Sequence, residues 1–204
     1  MSKFKQILLT IWILIWSIPL NIFAAIVVLG LLIIGAKPLK WGPAIRFEKG
    51  KHWGGLEMGL CFFMTDDTPS YHTKCHETGH LLQQAIFGPI MPFVVSLPSA
   101  SRYWLYQFNT QRARYIYCVL LTLTLLIITL TPMTLAVIFG IWWLFIIATL
   151  LTAYVFVLCG WLTFIETPKF ASNKTRPEYN SFWAEADASR RGEAFMKKYY
   201  PDVK

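Results

Sequence analysis

The sequence contains 51 consecutive uncharged residues, from Tyr115 to Ile165, and a stretch of this length excludes most soluble folds. A helix needs about 20 apolar residues to cross the hydrocarbon core of a bilayer. The stretch is too long for one crossing and, once turns are allowed, too short for three. It therefore predicts two membrane helices, with the turn between them near Thr131-Pro132-Met133, where the proline would interrupt a helix.

A second uncharged stretch runs from Ile7 to Ala36, soon after Lys3 and Lys5. It exceeds the apolar core of a signal peptide, and no small-residue cleavage site interrupts it early. The stretch predicts a retained membrane helix that is tilted or kinked at Pro19. A tight re-entrant hairpin at Pro19 is the alternative, although its first limb of about a dozen residues would be short for a crossing.

The composition indicates an integral membrane protein, because 55% of the residues are hydrophobic and only 15% are charged. The net charge is +8, and the basic residues flank the apolar stretches. We therefore expect membrane lipids with anionic headgroups as their partner. The chain lacks the interleaved basic and aromatic residues of a nucleic-acid-binding surface, so nucleic acid is not an expected partner.

A His-Glu-x-x-His motif, formed by His76, Glu77 and His80, lies between the two apolar stretches. On a helix both histidines share one face, so their imidazoles can reach a single metal ion. In zinc enzymes with this spacing the histidines hold the metal, and the glutamate takes a proton from the water that the metal activates. The motif therefore predicts zinc as the cofactor and Glu77 as the catalytic base.

The residues around the motif predict a helix from about Pro69 to Phe87, independently of its chemistry. Thr68 is a suitable N-terminal cap, proline occupies the first helical position, and Gly88-Pro89 would end the helix. His72 lies one turn before the first motif histidine. His72 or its neighbour Tyr71 is therefore a candidate for stabilising a negatively charged oxygen during the reaction.

Short strands are predicted at residues 44–48 and 56–64, around a turn at Glu48-Lys49-Gly50. We expect these strands to form a small hairpin at the membrane surface. The hairpin could pair with an extended substrate, or it could simply cover the metal helix. Residues 88–99 contain three prolines, and we expect this segment to be extended and packed at or just within the membrane.

A catalytic zinc site usually has three protein ligands, so a third ligand must come from elsewhere in the chain. Two membrane crossings would return the chain after residue 165 to the side where the motif lies. There, a helix is predicted from Asn180 to Tyr200, capped by Asn180 or Ser181. Glu185 is the first candidate ligand and Asp187 the second. Aromatic and alanine neighbours indicate that Glu185 is packed, and a packed carboxylate needs a partner such as a metal.

Several groups of residues together resemble a known pattern. They are His76-Glu77-Thr78-Gly79-His80-Leu81-Leu82-Gln83, Gly88-Pro89, Leu97-Pro98-Ser99, Phe182-Trp183-Ala184-Glu185, Ala188 and Gly192. The pattern resembles a family of small bacterial membrane proteins with an HExGHxxQ helix. That family is similar in turn to the gluzincins, zinc peptidases whose third ligand is a downstream glutamate. The resemblance covers roughly residues 40–108 and 178–193.

The gluzincin pattern also implies residues that orient the metal ligands. It places an aspartate four residues after the ligand glutamate, where it holds a ligand histidine. Ser189 occupies that position here, and its hydroxyl oxygen can accept a hydrogen bond from the imidazole N–H but carries no charge. Asp187, in a different register, is the alternative, and Gln83 is a further candidate for contacting the ligands or a charged oxygen.

The whole sequence predicts a mainly α membrane protein with about three transmembrane helices, a small surface β-hairpin and a zincin-like helix. We expect an N-terminal transmembrane helix (1–36), a metal-helix region with the hairpin and the proline-rich segment (37–110), a transmembrane hairpin (111–165), and a C-terminal amphipathic helix with the third ligand (166–204).

The function expected from these features is that of a membrane-embedded zinc hydrolase, most simply a metallopeptidase with a peptide or membrane-protein substrate. The alternative is a non-catalytic membrane protein whose metal or polar helix holds the terminal segment in place. An iron–carboxylate oxidase would need a second Glu-x-x-His, which the chain lacks.

The distribution of basic residues predicts a cytoplasmic active side in the bacterial inner membrane. Seventeen of the nineteen Lys and Arg residues lie on the motif's side of the apolar stretches. The other two, Lys3 and Lys5, favour a cytoplasmic amino terminus as well, which a single first crossing does not allow. A hairpin at Pro19 would allow both the amino terminus and the active side to be cytoplasmic.

Overall fold

The structure is a computed structural model, and it describes residues 1–51, 55–65, 70–172 and 181–203. These residues are mostly helical with one small sheet, which agrees with the predicted mainly α class. The chain divides into two compact units. The first unit comprises Met1–Ser96 and Asn180–Lys204, and the second comprises Leu97–Tyr179.

The helices and strands follow one another in a simple order. In the first unit they are α1 (Lys3–Trp16), α2 (Ile18–Ile33), β1 (Pro38–Trp41), β2 (Ala44–Glu48), β3 (Gly55–Met58), β4 (Cys61–Met64) and α3 (Tyr71–Phe87). In the second unit they are α4 (Leu97–Gln107), α5 (Gln111–Phe139), α6 (Trp142–Trp161) and α7 (Thr167–Ser172). The chain then returns to the first unit with α8 (Trp183–Tyr199).

The sheet has the strand order β1-β2-β4-β3, so the predicted hairpin around Glu48-Lys49-Gly50 is wrong. The strand β2 pairs with β4 in parallel, and its antiparallel neighbour is β1. The predicted strand at residues 56–64 is two strands, because Gly59 has a φ of 68° and reverses the chain between them. As a result, β3 lies at one edge of the sheet.

The predicted N-terminal helix is broken into α1 and α2, whose axes differ by 98°. The break lies at Ser17, and Pro19 occupies the first turn of α2, where a residue without a backbone N–H is tolerated. The prediction of a kink near Pro19 is therefore confirmed, and the kink is close to a right angle.

The helix α3 ends at Phe87, as predicted, and Gly88 follows with a φ of 54°. Ser70 is its N-terminal cap and accepts a hydrogen bond from the backbone N–H of Thr73 at 3.1 Å. The predicted cap and first residue, Thr68 and Pro69, lie outside the described residues.

The prediction that residues 88–99 are extended is wrong, because the segment is helical throughout. It forms a 3-10 turn at Gly88–Ile90, a π-helical turn at Pro92–Ser96 and the start of α4. Each of its three prolines lies in the first or second position of one of these pieces. A missing N–H costs nothing there, so the prolines divide the helix without unfolding it.

In the second unit, α5 continues through Pro132, so the turn predicted at residues 131–133 is wrong. The helix ends at Gly140, whose left-handed φ of 66° reverses the chain before α6. The stretch from Tyr115 to Ile165 therefore forms two long helices, as predicted, with the turn eight residues later than expected.

Within the described ranges, two helices, Gln111–Phe139 and Trp142–Lys169, are long and apolar enough to cross a membrane. The number rises to four when two bent pairs are each counted as one span. These pairs are α1 with α2, and Tyr71–Ile90 with Pro92–Gln107. The expected three transmembrane helices lie between these counts.

The last helix, α8, begins at Trp183 with Phe182 in the cap position, so the predicted cap Ser181 is wrong. The other predicted cap, Asn180, lies outside the described residues. One face of α8 is buried in the first unit; it comprises Ala184, Glu185, Ala188, Gly192 and Met196. The core that receives this face includes Ile13, Trp41, Phe62, Cys75 and Leu81.

Candidate metal centre

The helices α3 and α8 cross in direct backbone contact, because small residues lie on both helices where they meet. A Cβ atom added to Gly79 would lie 1.8 Å from the carbonyl oxygen of Ala188. One added to Gly192 would lie 1.8 Å from the carbonyl oxygen of Cys75. No larger residue fits at either glycine. This close approach brings the first turn of α8, with Glu185, to the face of α3 that carries the motif histidines.

Three side chains from these helices converge on one point. The Nε2 atom of His76 lies 3.0 Å from Oε2 of Glu185, and Nε2 of His80 lies 3.4 Å from the same oxygen. The two Nε2 atoms are 3.1 Å apart. Glu185 is buried, while the two imidazoles keep a small exposed fraction, 15% and 13%. The structure therefore brings together the three predicted ligands from distant parts of the chain.

The spacing of these atoms fits a four-coordinate metal ion. A tetrahedral ion with bonds of about 2.1 Å separates its ligands by about 3.4 Å. The observed separations are 3.0, 3.1 and 3.4 Å. Two imidazole nitrogens and one carboxylate are also a donor set that zinc takes in hydrolytic sites. A cation at this point would accept the lone pairs of the two imidazole nitrogens and of the carboxylate oxygen, which lie close together in a buried environment.

The side chain of Gln83 determines which nitrogen of His80 carries the proton. The Gln83 amide nitrogen donates to the carbonyl oxygen of Ala184 at 2.8 Å and to Oδ2 of Asp187 at 3.1 Å. Its amide oxygen therefore faces Nδ1 of His80, at 2.9 Å. Because this oxygen can only accept, Nδ1 carries the proton whenever the imidazole is neutral, and the lone pair of Nε2 then points to the cluster.

Ser189 has the corresponding contact with His76. Its hydroxyl oxygen lies 2.8 Å from Nδ1 of His76, at the position that the gluzincin pattern implies. Asp187, the alternative in the other register, contacts neither ligand imidazole through an observed hydrogen bond. It pairs instead with Arg190 at 2.8 Å and Arg191 at 2.5 Å, and it reaches the site through the glutamine amide.

The two candidates for stabilising a charged oxygen have partners elsewhere. Nδ1 of His72 lies 2.7 Å from Oε1 of Glu193, and both side chains are more than half exposed. The ring of Tyr71 packs edge-on against Trp41, with 5.9 Å between the ring centroids. The structure therefore does not bring either residue into the cluster.

The motif glutamate, Glu77, is buried between α3 and the edge strand β3. It is 4% exposed, and its Oε2 atom has no hydrogen-bond partner among the described residues. A Cβ atom added to Gly55 of β3 would lie 2.3 Å from its Oε1 atom, so a larger residue at this position would displace the carboxylate. Burial raises the pKa of Glu77, the charges of His80 and His76 lower it in part, and Glu185 raises it further.

A second buried carboxylate, Glu57, lies on β3 close enough to influence the same groups. Its Oε1 atom has no hydrogen-bond partner within the described part of the chain. Burial raises the pKa of Glu57 well above its usual range, His80 lowers it, and Glu77 raises it. Glu57 has only a weak signature in the sequence, a single acidic residue within a short strand of glycine, leucine and methionine.

The surrounding carboxylates give the cluster a negative field. Burial acts to lower the pKa of His80, but the hydrogen bond to Glu185 and the charges of Glu77 and Glu185 outweigh this effect. Together with Gln83 they raise the pKa of His80 to about 9. The same field would stabilise a metal cation in place of a proton.

Comparisons with known proteins add no relative to these observations. No family model, no curated protein and no solved structure matches this chain.

Proposed function

We propose that this protein is a membrane-embedded, zinc-dependent hydrolase of the metallopeptidase class. The observation that carries the proposal is the convergence of His76, His80 and Glu185 beside the buried carboxylate of Glu77. Structural zinc sites usually have four protein ligands, whereas catalytic sites have three and keep one position open. Three ligands with an adjacent, unpaired carboxylate oxygen therefore favour catalysis.

Each residue of the site has a distinct part in the proposed mechanism. His76, His80 and Glu185 would hold the metal through Nε2, Nε2 and Oε2. Bound zinc would supply a Lewis acid that polarises the scissile carbonyl and lowers the pKa of water. Oε2 of Glu77 would take a proton from the attacking water and pass it to the leaving nitrogen. Burial raises the pKa of Glu77, and a raised pKa makes its carboxylate a better proton acceptor than an exposed glutamate.

The edge strand β3 supports a peptide as the substrate. It pairs with β4 on one side, and no described strand pairs with its other side. An extended peptide can add to such an edge through backbone hydrogen bonds. Because Gly55 of β3 contacts Glu77, a peptide bound there would lie next to the proposed catalytic base.

The membrane location of the proposed enzyme is supported by the two long apolar helices, Gln111–Phe139 and Trp142–Lys169. The resemblance to small bacterial proteins suggests the inner membrane. The basic residues that follow the first apolar stretch suggest a cytoplasmic active side. A peptide segment of a membrane protein, presented at the bilayer surface, is the substrate class that this location favours.

A structural metal is the second candidate, and one observation favours it. The ligands join α3 to α8, which already contact each other along their backbones, so a metal could serve only to fasten the C-terminal helix. Catalytic and structural roles differ in what they require of Glu77. Only a catalytic role needs its carboxylate, because Glu77 is absent from the converging ligand group.

The test is to compare zinc content and peptide cleavage in the wild type, Glu77→Gln, His80→Ala and Glu185→Ala. We expect about one zinc per chain in the wild type and in Glu77→Gln, and little in the two ligand variants. Cleavage of a quenched fluorescent peptide library should fall by about 100-fold or more in Glu77→Gln. Zinc without cleavage in the wild type would support the structural role, and full zinc retention in Glu185→Ala would remove that residue from the site.

A further inference from the structure

The first two helices form a bent pair whose limbs are both shorter than a bilayer core. α1 has 14 residues and α2 has 16. At about 1.5 Å per residue they are about 21 and 24 Å long, whereas the hydrocarbon core is about 30 Å thick. With 98° between their axes, the pair does not form one straight rod. Neither limb is therefore suited to cross a bilayer.

The bend is fixed by specific contacts. The Asn21 side-chain amide donates to the carbonyl oxygen of Ile13 at 2.9 Å and to that of Ser17 at 3.0 Å. Carbonyl groups at a helix break need such partners, above all where no water is available. A Cβ atom added to Gly59 would lie 2.6 Å from Oδ1 of Asn21, which shows that the turn at Gly59 lies against Asn21. The sheet therefore holds the bend in place.

The first limb is attached to the helix of the metal site. The indole nitrogen of Trp12 donates to the carbonyl oxygen of Ala85 at 2.7 Å. The indole nitrogen of Trp16 donates to that of Ile86 at 3.2 Å. Between them, Ile13 is fully buried in the core of the first unit. Thus α1 is anchored at the C-terminal end of α3.

The second limb is attached to the sheet of the same unit. Val28 and Leu31 of α2 pack against the cluster formed by Ala36, Phe47 and Phe63. The chain leaves α2 and enters β1 only a few residues later. Both limbs of the bent pair therefore pack against other elements of the unit that contains the metal site.

The outward face of the pair is apolar and bounded by lysines. The apolar side chains on this face that are more than half exposed include Ile7, Ile15, Ile22, Phe23, Ile26 and Ile33. No charged residue lies between Lys5 and Lys37. A soluble surface rarely carries so large an apolar patch, whereas a lipid leaflet with anionic headgroups fits both the patch and its basic ends.

We propose that α1 and α2 insert together into one leaflet of the bilayer as a wedge and do not cross it. The residues before α1 and those after α2 then face the same aqueous side as the metal site. This placement reconciles the N-terminal lysines with the basic residues elsewhere in the chain. It does not depend on the hydrolase proposal, because it rests only on the first unit's contacts and surface.

The test is labelling of single introduced cysteines by a membrane-impermeant maleimide. Ser2→Cys reports the residues before α1, Leu39→Cys reports β1, and the exposed Ala194→Cys on α8 reports the metal-site side. Each variant is labelled in right-side-out spheroplasts and in inverted inner-membrane vesicles. We expect all three to react in the same preparation and to be protected in the other. Reaction of Ser2→Cys and Leu39→Cys in opposite preparations would show a crossing and overturn the proposal.

The unmodified protein is the matched control, because Cys61, Cys75, Cys118 and Cys159 are native free thiols and its labelling gives their background. If Ser2→Cys reacts in neither preparation, Lys3→Cys decides the question by the same criterion. Zinc content measured on each variant shows separately whether the metal site has survived. The labelling result therefore decides whether α1 and α2 cross the bilayer even if the protein is not a hydrolase.

Discussion

The Nδ1 atom of His76 lies 2.8 Å from the hydroxyl oxygen of Ser189, which follows Glu185 by four residues on α8. One turn of α8 therefore carries both a candidate ligand and the group that orients a ligand imidazole. A neutral hydroxyl can accept a hydrogen bond from the imidazole N–H, but it adds no negative charge to strengthen the other ring nitrogen as a metal ligand.

We predict that Ser189→Ala binds zinc about tenfold more weakly than the wild type, because the His76 ring loses the partner that fixes its orientation. Ser189→Asp should bind zinc at least as tightly as the wild type, since a carboxylate orients the ring and makes its Nε2 atom a stronger metal ligand. Competition with a chromogenic chelator measures both affinities. Equal affinities in all three proteins would show that the serine contact is incidental.

We predict that Gly79→Ala weakens zinc binding and lowers the melting temperature by roughly 5 °C. The added methyl group would lie 1.8 Å from the Ala188 carbonyl oxygen, so α8 has to move and takes Glu185 with it. Gly30→Ala is the matched control, because nothing lies within 4 Å of the Cβ position at Gly30. Similar behaviour of the two variants would contradict the close crossing of α3 and α8.

The features that could be predicted from the sequence are those set by local pattern or by elementary chemistry. The pairing of His76 with His80 follows from helical spacing, and the end of α3 follows from Gly88-Pro89. The long helices in Tyr115–Ile165 follow from the absence of charge. Glu185 is predictable as a candidate because a two-histidine site needs a third ligand, and aromatic and alanine neighbours indicate that this carboxylate is packed.

The features that could not be predicted depend on long-range packing. The parallel pairing of β2 with β4 joins strands that are not neighbours in the sequence, and no turn signal marks it. Pro132 is a strong local breaker, yet α5 continues through it and ends at Gly140. The position of Glu57 beside Glu77 depends on how β3 packs on α3, which no periodicity reveals.

We predict that Glu57→Gln stabilises the metal-free protein, and more so at high pH. Burial raises the pKa of Glu57 above its unfolded value, so the folded state holds this proton more tightly. Its contribution to stability is greatest below the unfolded pKa and falls as the pH rises through the folded pKa. Melting temperatures after chelation should therefore favour Glu57→Gln at about pH 8 and converge at about pH 4. Glu77 is present in both proteins, so it contributes equally to the pH dependence of both. A difference in melting temperature that does not change with pH would show that the charge of Glu57 is not its source.

We predict that His72→Gln leaves zinc content unchanged and changes kcat by less than about twofold. Nδ1 of His72 pairs with Glu193 at the protein surface, where both side chains are more than half exposed. Such a pair contributes at most about 1 kcal/mol to stability, and it does not bring the imidazole to the converging ligand atoms. Glu193→Gln is the matched control, because it removes the same pair from the other side. A fall in kcat of about 100-fold in His72→Gln, with Glu193→Gln unaffected, would instead give His72 a part in stabilising the charged oxygen.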